Sequence, residues 1–476
     1  MANILFVQDF WFEYLGPIYI SEQLEINGHS VDVIVEADHS RLIKKLKPFN
    51  PDIIAFSCTT GTHRWVVQAA NLLKKLFPDV LTIVGGAHAT FFPEFIENEG
   101  IDVICRGEGE EAIVDFINAF EKKEDYSTIR NLWVKKPDGE IIKNDVRNLI
   151  EDLDSLPFNR RRLYRNIKLL RQSPNKHFLT GRGCPYDCSF CFNHKSKELY
   201  KNKGSYLRRH SAERVIEEIE YVKKNYGLKS VRFDDDLFIL NKKWLIDFLE
   251  IYAKRIRLPF FCLVRANLLT DEIAEALGKS GCSSAYFGIE SGNDFQRNEV
   301  LRKNISKDQI INCSNLLKKY KIKTGTFNML GLPGETIEQA FETVHINQEL
   351  RNEFVWVSLV QPYPRTALAE YCMKHEYIDS EISLDKIHSS YFKQSVLKNP
   401  EKNQLDNLHK LVFIAVRYPS LEKIIRKLIK IKPNLVFDLI FYLFYTRRYM
   451  KTYHMPFWRV ILTGLRSKTH LKRQKN

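Results

Sequence analysis

Short apolar runs alternate with amphipathic stretches over residues 1–122 of the chain. Each apolar run has the length and the polar or glycine-containing borders of a buried β-strand. We predict strands at Ile4–Gln8, Val31–Val35, Ile53–Cys58, Leu81–Val84 and Val103–Cys105. The stretches between them, such as Trp65–Leu76 and Glu110–Phe120, repeat apolar residues at helical spacing. This alternation predicts a doubly wound, Rossmann-like α/β domain, in which ligands bind at the carboxyl ends of the parallel strands.

The same alternation returns between residues 177 and 360. Strands are predicted there at His177–Thr180, Ser230–Asp234, Phe260–Val264, Ser284–Ile289, Thr324–Leu330 and Val355–Val360. Strands that alternate with helices in this number predict a partial (β/α)6 barrel. Between the two regions, Leu132–Ile142 has the pattern of a hairpin that turns on a Pro-Asp-Gly sequence, and Leu153–Pro157 is predicted to be a linker.

The composition is that of a globular protein. The chain has 476 residues, of which 44% are hydrophobic and 27% are charged, and this excludes a mainly disordered chain. The length corresponds to about three domains. The sequence has no run of ~18 apolar residues, which argues against a membrane-spanning helix. Its first residues lack the basic start and cleavage site of a secretory signal, so we expect a cytoplasmic protein.

The net charge of +14 is concentrated at the carboxyl-terminal end. Residues 411–476 contain 15 Lys and Arg but 2 acidic residues, and they also hold apolar residues at helical spacing and many aromatic residues. A helical, basic, aromatic module favours peripheral contact with the inner face of an anionic membrane. A helical cap over the barrel mouth with a solvated basic face is the alternative. Nucleic acid is a less favoured partner, because the rest of the chain is nearly neutral.

A loop of three cysteines follows the first predicted barrel strand. Cys184, Cys188 and Cys191 form a CxxxCxxC sequence within a chain that has nine, otherwise scattered, cysteines. Thiolates at this spacing converge on one metal centre, and three of them occupy three irons of a cubane cluster while the fourth iron stays open. Zinc with His194 as a fourth ligand, or three buried structural cysteines, are the alternatives. The odd number of cysteines suits reduced thiols, not a disulfide framework.

This loop, with Phe190 before its last cysteine, resembles the signature of the radical S-adenosylmethionine enzymes. The resemblance implies that Cys184, Cys188 and Cys191 hold a 4Fe-4S cluster, whose open iron binds the amine and carboxylate of S-adenosylmethionine. It also implies that an electron, supplied by a flavodoxin- or ferredoxin-like donor, generates a 5′-deoxyadenosyl radical. The cofactors carry this chemistry, so no side chain is predicted to be catalytic.

The ends of other barrel strands resemble the S-adenosylmethionine contacts of that family. Asp234 and Asp235 stand where groups meet the methionine end of the molecule, whereas the adjacent Asp236 fits a helix cap better. Arg265 is assigned either to the carboxylate of S-adenosylmethionine or to a structural salt bridge. The remaining predicted contacts are Glu290 and Ser291 for the ribose, and Gly331 of a GLPGE turn for the adenine.

A doubly wound domain ahead of such a barrel resembles the cobalamin-binding subfamily, which includes C-methylases and an anaerobic oxidative cyclase. The RGEGE sequence at residues 106–110 matches a segment of that subfamily. Small residues at the strand ends would let the nucleotide tail of cobalamin slot between them. The predicted cobalamin contacts are Ser57, Thr59, Gly85, Gly86 and Glu108. The resemblance covers residues 3–371.

Two motifs depart from the family patterns. Cobalamin proteins with a histidine ligand carry DxHxxG after the first strand, but Trp11 and Tyr14 stand at the histidine and glycine places here. Because indole offers cobalt no lone pair, we predict base-off cobalamin without a histidine lower ligand. We expect the nearby His63 and His88 to be hydrogen-bonding groups. In the PYPRT sequence at residues 362–366, Arg365 replaces a glycine of the family element, which puts the shape of that loop in doubt.

These features predict a cobalamin-binding domain over residues 1–125, a connector over 126–170, a radical S-adenosylmethionine barrel over 171–375 and a helical module over 376–476. The predicted function is methyl transfer to an unactivated carbon of a hydrophobic, lipid-like substrate. One alternative is oxidative ring formation or rearrangement with the same cofactors. The other is a non-catalytic cobalamin sensor.

Overall fold

The computed structural model describes residues 1–378, 382–384, 387, 392 and 394–452. The first sheet begins at the amino terminus. Its strands are β1 (Asn3–Gln8), β2 (Ser30–Val35), β3 (Ile53–Ser57), β4 (Leu81–Gly85), β5 (Val103–Cys105), β6 (Leu132–Lys135) and β7 (Ile141–Lys143). The helices of this region are α1 (Leu15–Ile26), α2 (His39–Leu46), α3 (His63–Leu76), α4 (Ala87–Phe91) and α5 (Glu110–Lys122).

The order of the strands in this sheet is β2-β1-β3-β4-β5-β6-β7. Pairs from β2 to β5 are parallel, and the predicted hairpin of β6 and β7 continues the sheet in antiparallel fashion. Alternate residues of β1 point to opposite faces: Ile4 and Phe6 pack with α1 and α5, whereas Leu5 and Val7 pack with α2 and α3. Helices therefore cover both faces, and the prediction of a doubly wound domain is confirmed.

A connector containing α6 (Lys168–Arg171) leads to the second sheet. The strands that follow are β8 (Asn175–Phe178), β9 (Gly181–Arg182), β10 (Arg208–Arg209), β11 (Ser230–Phe233), β12 (Phe260–Val264), β13 (Cys282–Glu290), β14 (Lys323–Leu330) and β15 (Phe354–Leu359). The helices among them are α7 (Asn193–Leu199), α8 (Ala212–Tyr226), α9 (Lys242–Arg255), α10 (Asp271–Lys279), α11 (Lys307–Lys319), α12 (Ile337–Leu350) and α13 (Ala367–Lys374).

Six of these strands form one parallel sheet in the order β15-β14-β13-β12-β11-β8, and β9 pairs with β10 in a separate short ribbon. Sequential order and helical crossovers are those of a partial barrel, as predicted. The strands predicted from the apolar runs all occur, with bounds that differ by at most two residues. The cysteine loop lies between β9 and α7, at the carboxyl end of β8.

The last described elements are α14 (Lys402–Arg417), α15 (Glu422–Leu428) and α16 (Leu435–Thr452). Leu405, Leu408 and Leu411 of α14 are buried in a cluster shared with α12 and β15. This part of the module therefore packs on the outside of the barrel beside β15, whereas the cap alternative placed it over the barrel mouth. No helix in the described ranges is long and apolar enough to cross a membrane. The basic residues beyond Thr452 lie outside the described residues.

Candidate functional site

The cysteine loop is fixed to the barrel by backbone hydrogen bonds. Ser189, in its middle, donates from its amide to the carbonyl of Leu301 at 3.0 Å and accepts from the amide of Leu368 at 2.8 Å. Cys188 is buried, Cys184 and Cys191 are half-buried, and all three are free thiols. Ends of two other loops thus hold the cysteines in place at the carboxyl edge of the sheet.

The donor set of this loop suits an iron–sulfur cluster. Burial raises the pKa of Cys184, and it raises the pKa of Cys191 to about 11. A bound cation favours the thiolate forms and opposes this effect of burial. No group of three His, Cys, Asp or Glu side chains in the described part of the chain surrounds a single ion position. A cubane cluster does not need that arrangement, because each cysteine binds a different iron.

Arg265 lies against the cysteine loop. Its guanidinium donates to the Sγ atom of Cys188 at 3.8 Å and stacks over the ring of Tyr186 at 3.5 Å. It also donates to Asn267 at 3.0 Å and to the carbonyl of Lys303. Among the described residues it has no carboxylate partner, so the structural salt bridge considered for Arg265 is not found. The buried guanidinium of Arg265 therefore places a positive charge beside Cys188.

The three consecutive aspartates face different surroundings. Asp235 is buried and accepts hydrogen bonds from the amide and the hydroxyl of Thr180, the latter at 2.6 Å, with Arg209 at 3.6 Å. Burial raises the pKa of Asp235 to about 6. Its carboxylate therefore joins the loop after β11 to the loop after β8. The oxygens of Asp235 have these internal partners, and its contact with S-adenosylmethionine stays a prediction.

Asp234 faces the inside of the barrel, where His177 and Arg232 bind it, the latter at 2.5 Å. Burial opposes ionisation, but the hydrogen bonds and charges of these two partners prevail and lower the pKa of Asp234. Asp236, which the sequence suggested as a helix cap, is exposed on the cysteine side. Its charge acts to raise the pKa of both Cys184 and Cys191. Of the three aspartates, Asp236 is the one nearest the cysteine loop.

The predicted ribose and adenine segments lie at the ends of β13 and β14. Glu290 has a left-handed backbone with φ of 67°, and its carboxylate pairs with Lys303 at 2.6 Å. The buried Ser291 accepts at its hydroxyl from the amide of Asn293 at 3.2 Å. In the GLPGE turn, the carboxylate of Glu335 accepts from the amide of Gly331 at 2.6 Å. The same oxygen accepts from the amide of Leu332 at 3.2 Å, so this side chain stiffens the turn. Burial raises the pKa of Glu335 to about 8.

A cavity of about 300 Å³ lies in the amino-terminal domain between the first sheet and the helices α1 and α5. Ser57, Gly85, Gly86 and Glu108 line it, together with apolar residues of β1, β3, α1 and α5. Thr59 is exposed and is not part of the lining. The volume falls at the lower end of the ~300–1,000 Å³ range of small-ligand pockets. Four of the predicted cobalamin contacts therefore meet at one apolar cavity.

Two details of the cavity suit a nucleotide tail. The Cβ of any other residue at Gly86, where φ is 93°, would lie 2.7 Å from the carbonyl oxygen of Cys58, so this strand end requires glycine. Glu110, also in the lining, is buried, and its Oε2 atom has no hydrogen-bond partner in the described part of the chain. Such an atom is ready to accept a hydrogen bond from a ligand hydroxyl. The residues present thus fit the tail of cobalamin.

The carboxylate of Glu108 does not face an empty site. Arg208 binds both of its oxygens, at 2.5 and 2.9 Å, and Arg182 lies 3.1 Å away. Arg182 also pairs with Glu110 at 2.5 Å. Both arginines belong to the β9–β10 ribbon, whose two strands flank the cysteine loop in the chain, so the RGEGE segment binds the barrel. No sequence pattern indicates these pairs, because at least 72 residues separate the partners.

The loop after β1 places an aromatic residue at the edge of the sheet. Burial, and next the charge of Asp9, raise the pKa of Tyr14, whose other electrostatic neighbours include Cys58 at the end of β3. Nearby, His88 is buried, its Nδ1 lies 3.0 Å from the hydroxyl of Thr60, and its ring stacks on His63 at 4.7 Å. Burial lowers the pKa of His88 to about 3 and keeps the ring neutral.

Arg365 has a left-handed backbone, a conformation that glycine adopts readily. Its φ is 68°, in the left-handed region, and its side chain pairs with Glu94 at 3.0 Å and with the carbonyl of Phe91 in the amino-terminal domain. The ring of Phe91 stacks at 4.5 Å on Phe192, the residue after Cys191. The loop that contains Arg365 therefore forms a contact between the two domains.

Sequence comparison places both halves of the chain in known families. Residues 178–346 match the radical SAM superfamily, and residues 12–117 match the B12-binding domain. An uncharacterized methyltransferase of Pyrococcus horikoshii is 31% identical over 373 residues, which cover 76% of this chain and 79% of the relative. The anaerobic magnesium-protoporphyrin IX monomethyl ester cyclase of Rubrivivax gelatinosus is 24% identical, with 73% of this chain and 64% of the cyclase covered.

The fold agrees with these matches. The structure of OxsB, a cobalamin-dependent S-adenosylmethionine radical enzyme with aqua-cobalamin and S-adenosylmethionine bound, has a TM-score of 0.69 and 17% identity, and covers 99% of this chain and 75% of OxsB. The barrel holds the cysteine loop, and the amino-terminal domain holds the cavity. Together they are the two cofactor sites of an enzyme of this class. The chain belongs to the cobalamin-binding radical S-adenosylmethionine enzymes, a family with relatives named as methyltransferases and as a cyclase. A 4Fe-4S cluster, S-adenosylmethionine and cobalamin are the cofactors that its two domains imply.

Proposed function

We propose that the protein methylates an unactivated carbon of a hydrophobic, lipid-like substrate, with Cys184, Cys188 and Cys191 as the cluster ligands. One observation carries the proposal. Leu179 and Arg182, which lead from β8 into the cysteine loop, also line the cavity of the amino-terminal domain. The two cofactor sites therefore share a boundary, and a substrate between them would be accessible to both.

When bound, the cluster with S-adenosylmethionine supplies a hydrogen-abstracting radical, and cobalamin supplies a methyl group. The chain binds and orients these groups and excludes water from them. A ferredoxin- or flavodoxin-like protein is the proposed source of the electron. Hydrogen abstraction by a radical needs no protein base, so the residues of the site act as binding groups.

The inside of the barrel supports a hydrophobic substrate. Tyr286 contacts the rings of Phe261, Phe327 and Phe354, with ring centroids 4.8, 5.7 and 5.6 Å apart. Tyr286 also lies over Gly325, whose missing side chain leaves room for the ring. Aromatic faces of this kind bury apolar ligand surface, and the polar His177–Asp234 pair at the edge of the layer would orient one end of the ligand.

The products distinguish the candidate activities. Lipid and metabolite extracts of cells with the gene and cells without it should differ by a compound that gains one methyl group, with 5′-deoxyadenosine formed by the purified enzyme. Replacing Cys184, Cys188 and Cys191 by alanine should abolish the methylated compound and the 5′-deoxyadenosine, and it should remove the iron. A compound that loses hydrogen atoms without gaining a methyl group would support the cyclase alternative. A protein that binds cobalamin but never forms 5′-deoxyadenosine would be a sensor.

Cobalamin is proposed to bind base-off, without a histidine below cobalt. Trp11 stands at the place of the ligating histidine, the nearby His88 is buried beside Thr60, and the apolar cavity offers a place for the dimethylbenzimidazole base away from cobalt. Electron paramagnetic resonance of the reduced cobalt should show no nitrogen hyperfine splitting from a lower ligand. A clear splitting would contradict this arrangement. Free cobalamin is the base-on control. Its spectrum under the same conditions must show the nitrogen splitting for the measurement to be valid.

The C-terminal module is proposed to contact an anionic membrane through the outer face of α16. Leu435, Val436, Leu439, Tyr442 and Leu443 form this apolar ridge and are between 51% and 84% exposed. They recur at the i, i+4, i+7 and i+8 spacing of one helix face. The opposite face packs into the protein through Phe437 and Phe441. Exposed Lys423, Lys427, Lys430 and Lys432 lie nearby in the chain and would face lipid headgroups.

Substitutions on the ridge test this contact without disturbing α14, whose removal would uncover β15. Leu439→Gln with Leu443→Gln should abolish binding of the protein to phosphatidylglycerol vesicles and leave its iron and cobalamin content unchanged. Ile26→Gln, at a residue 58% exposed in α1, is the matched control and should bind normally. Binding should also weaken with salt, because the Debye length is ~8 Å at physiological ionic strength. Equal binding by both variants would refute the ridge as the contact.

A further inference from the structure

Arg182 lies between the two cofactor sites and takes part in both. It is the second residue before Cys184, in the short strand β9, and its side chain is largely buried. Its guanidinium pairs with Glu108, in the loop that leads from β5 into α5, at 3.1 Å and with Glu110, the first residue of α5, at 2.5 Å. Each of these three side chains also belongs to the lining of the cavity.

The acidic partners of Arg182 are themselves constrained. Arg208 holds Glu108 from the other side, so this carboxylate cannot follow a movement of Arg182 freely. Glu110 uses one oxygen for Arg182, and its Oε2 atom is buried with no partner in the described residues. A ligand hydroxyl that binds Oε2 would therefore change the position or the hydrogen bonding of Glu110, and through it that of Arg182.

The backbone beside Arg182 has little room to absorb such a change. Gly183, between Arg182 and Cys184, has φ of 92°, and a Cβ there would lie 2.3 Å from the carbonyl oxygen of Tyr206. On the other side, a Cβ on Gly181 would lie 2.7 Å from the carbonyl oxygen of Arg208. Close packing of backbone on both sides transmits displacement along the chain instead of dissipating it.

We propose that Arg182 is a positioning residue that couples occupancy of the cobalamin tail cavity to the geometry of the cysteine loop. The proposal rests on the cofactor set of the proposed function but not on methyl transfer. Coupling between two sites is reciprocal, so a loaded cluster strengthens cobalamin binding by the same factor by which cobalamin strengthens cluster binding. A radical generated at the cluster would then form preferentially in chains that already hold cobalamin.

The coupling is measured as a ratio of affinities. Hydroxocobalamin is titrated into the full-length protein before and after anaerobic reconstitution with iron and sulfide. We expect the reconstituted wild-type protein to bind about tenfold more tightly, within the usual range for coupled sites. Arg182→Gln should bring this ratio to about one while each site still loads. Arg182→Lys, which retains the charge, should restore part of the ratio.

Arg255→Gln is the matched control, because it removes an arginine–glutamate pair between α8 and α9, away from both sites. It should keep the wild-type ratio.

A spectroscopic readout adds a test that a purely structural role would not pass. Hydroxocobalamin should shift the electron paramagnetic resonance signal of the reduced cluster in the wild-type protein and in Arg255→Gln, but not in Arg182→Gln.

A wild-type ratio of one, or an unchanged ratio in Arg182→Gln, would overturn the proposal. If Arg182→Gln does not fold or load, Glu110→Gln replaces it, because this variant keeps the shape of the side chain and removes the charge that binds Arg182. A wild-type ratio of one, or an unchanged ratio in Glu110→Gln, would then overturn the proposal. A wild-type protein that loads neither cofactor contradicts the proposed function instead, so the two failures are distinguishable.

Discussion

Glu218 makes the stability of the domain junction depend on pH. It lies on α8, is 6% exposed, and has Arg161 of the connector at 3.9 Å. Arg161 in turn pairs with Glu13 of the amino-terminal domain at 3.0 Å. Burial raises the pKa of Glu218 from the ordinary 4.5 to about 7, against the opposing charges of Arg161 and Arg214. Ionising this carboxyl group in the folded protein is therefore unfavourable.

The sign and the size of the effect follow from linkage. A group whose pKa is raised by folding stabilises the folded state fully below its unfolded pKa and loses that contribution as the pH rises through the folded pKa. The window is thus from about pH 4.5 to about pH 7. Since one pKa unit corresponds to ~1.4 kcal/mol, the contribution lost across the window is about 3 kcal/mol.

Glu218→Gln is the perturbation, because glutamine has the shape of the protonated acid and does not titrate. Its melting temperature minus that of the wild type should be near zero at pH 5 and should rise by several degrees at pH 8, in differential scanning calorimetry. Glu217→Gln, at an exposed neighbour on the same helix, is the control and should show no such rise. A flat difference for Glu218→Gln would refute the reasoning, and so would a loss of stability at pH 8, which would mean that Arg161 requires the ionised carboxylate.

Three substitutions test other parts of the structure. Gly86→Ala would put a methyl group 2.7 Å from the carbonyl oxygen of Cys58, so hydroxocobalamin titration should show at least a tenfold loss of affinity. Arg365→Gly relieves a left-handed backbone, worth ~1–2 kcal/mol, and loses an exposed ion pair with Glu94, worth ~0–1 kcal/mol, so thermal unfolding should move little. Phe441→Ala, at a residue 1% exposed, should cost ~3–5 kcal/mol in chemical denaturation.

The strands from β1 to β5 and those of the six-stranded sheet were predictable because they are parallel and buried. Parallel strands carry almost continuous apolar runs, and helical crossovers separate these runs clearly, so the periodicity alone located the strands. The cysteine loop was also predictable, since its spacing and its place after a strand are local features. The hairpin of β6 and β7 was recognisable by its turn, but its pairing with β5 depends on contacts distant in sequence.

Long-range charge pairs were beyond the reach of sequence patterns. Glu108 belongs to a motif that the family resemblance assigned to cobalamin, yet its carboxylate binds Arg182 and Arg208. Glu13 binds Lys176 across the same domain junction. Any acidic residue of the first domain could have paired with any basic residue of the barrel, and the fold alone selects the partners. For the same reason, the burial of α14 against the barrel could not be distinguished in advance from a free basic face.

The roles of the three consecutive aspartates depend on where the strand ends. β11 ends at Phe233, so all three aspartates lie in the loop that follows, where no strand alternation fixes the direction of a side chain. Asp234 pairs with Arg232 of the strand, whereas Asp235 is buried against Thr180. Asp236 is exposed, and its charge acts to raise the pKa of Cys184 and Cys191. The structure thus makes Asp236 a candidate to meet a ligand at the cysteine loop, and an Asp236→Asn variant with weakened S-adenosylmethionine binding but a normal iron content would establish that contact.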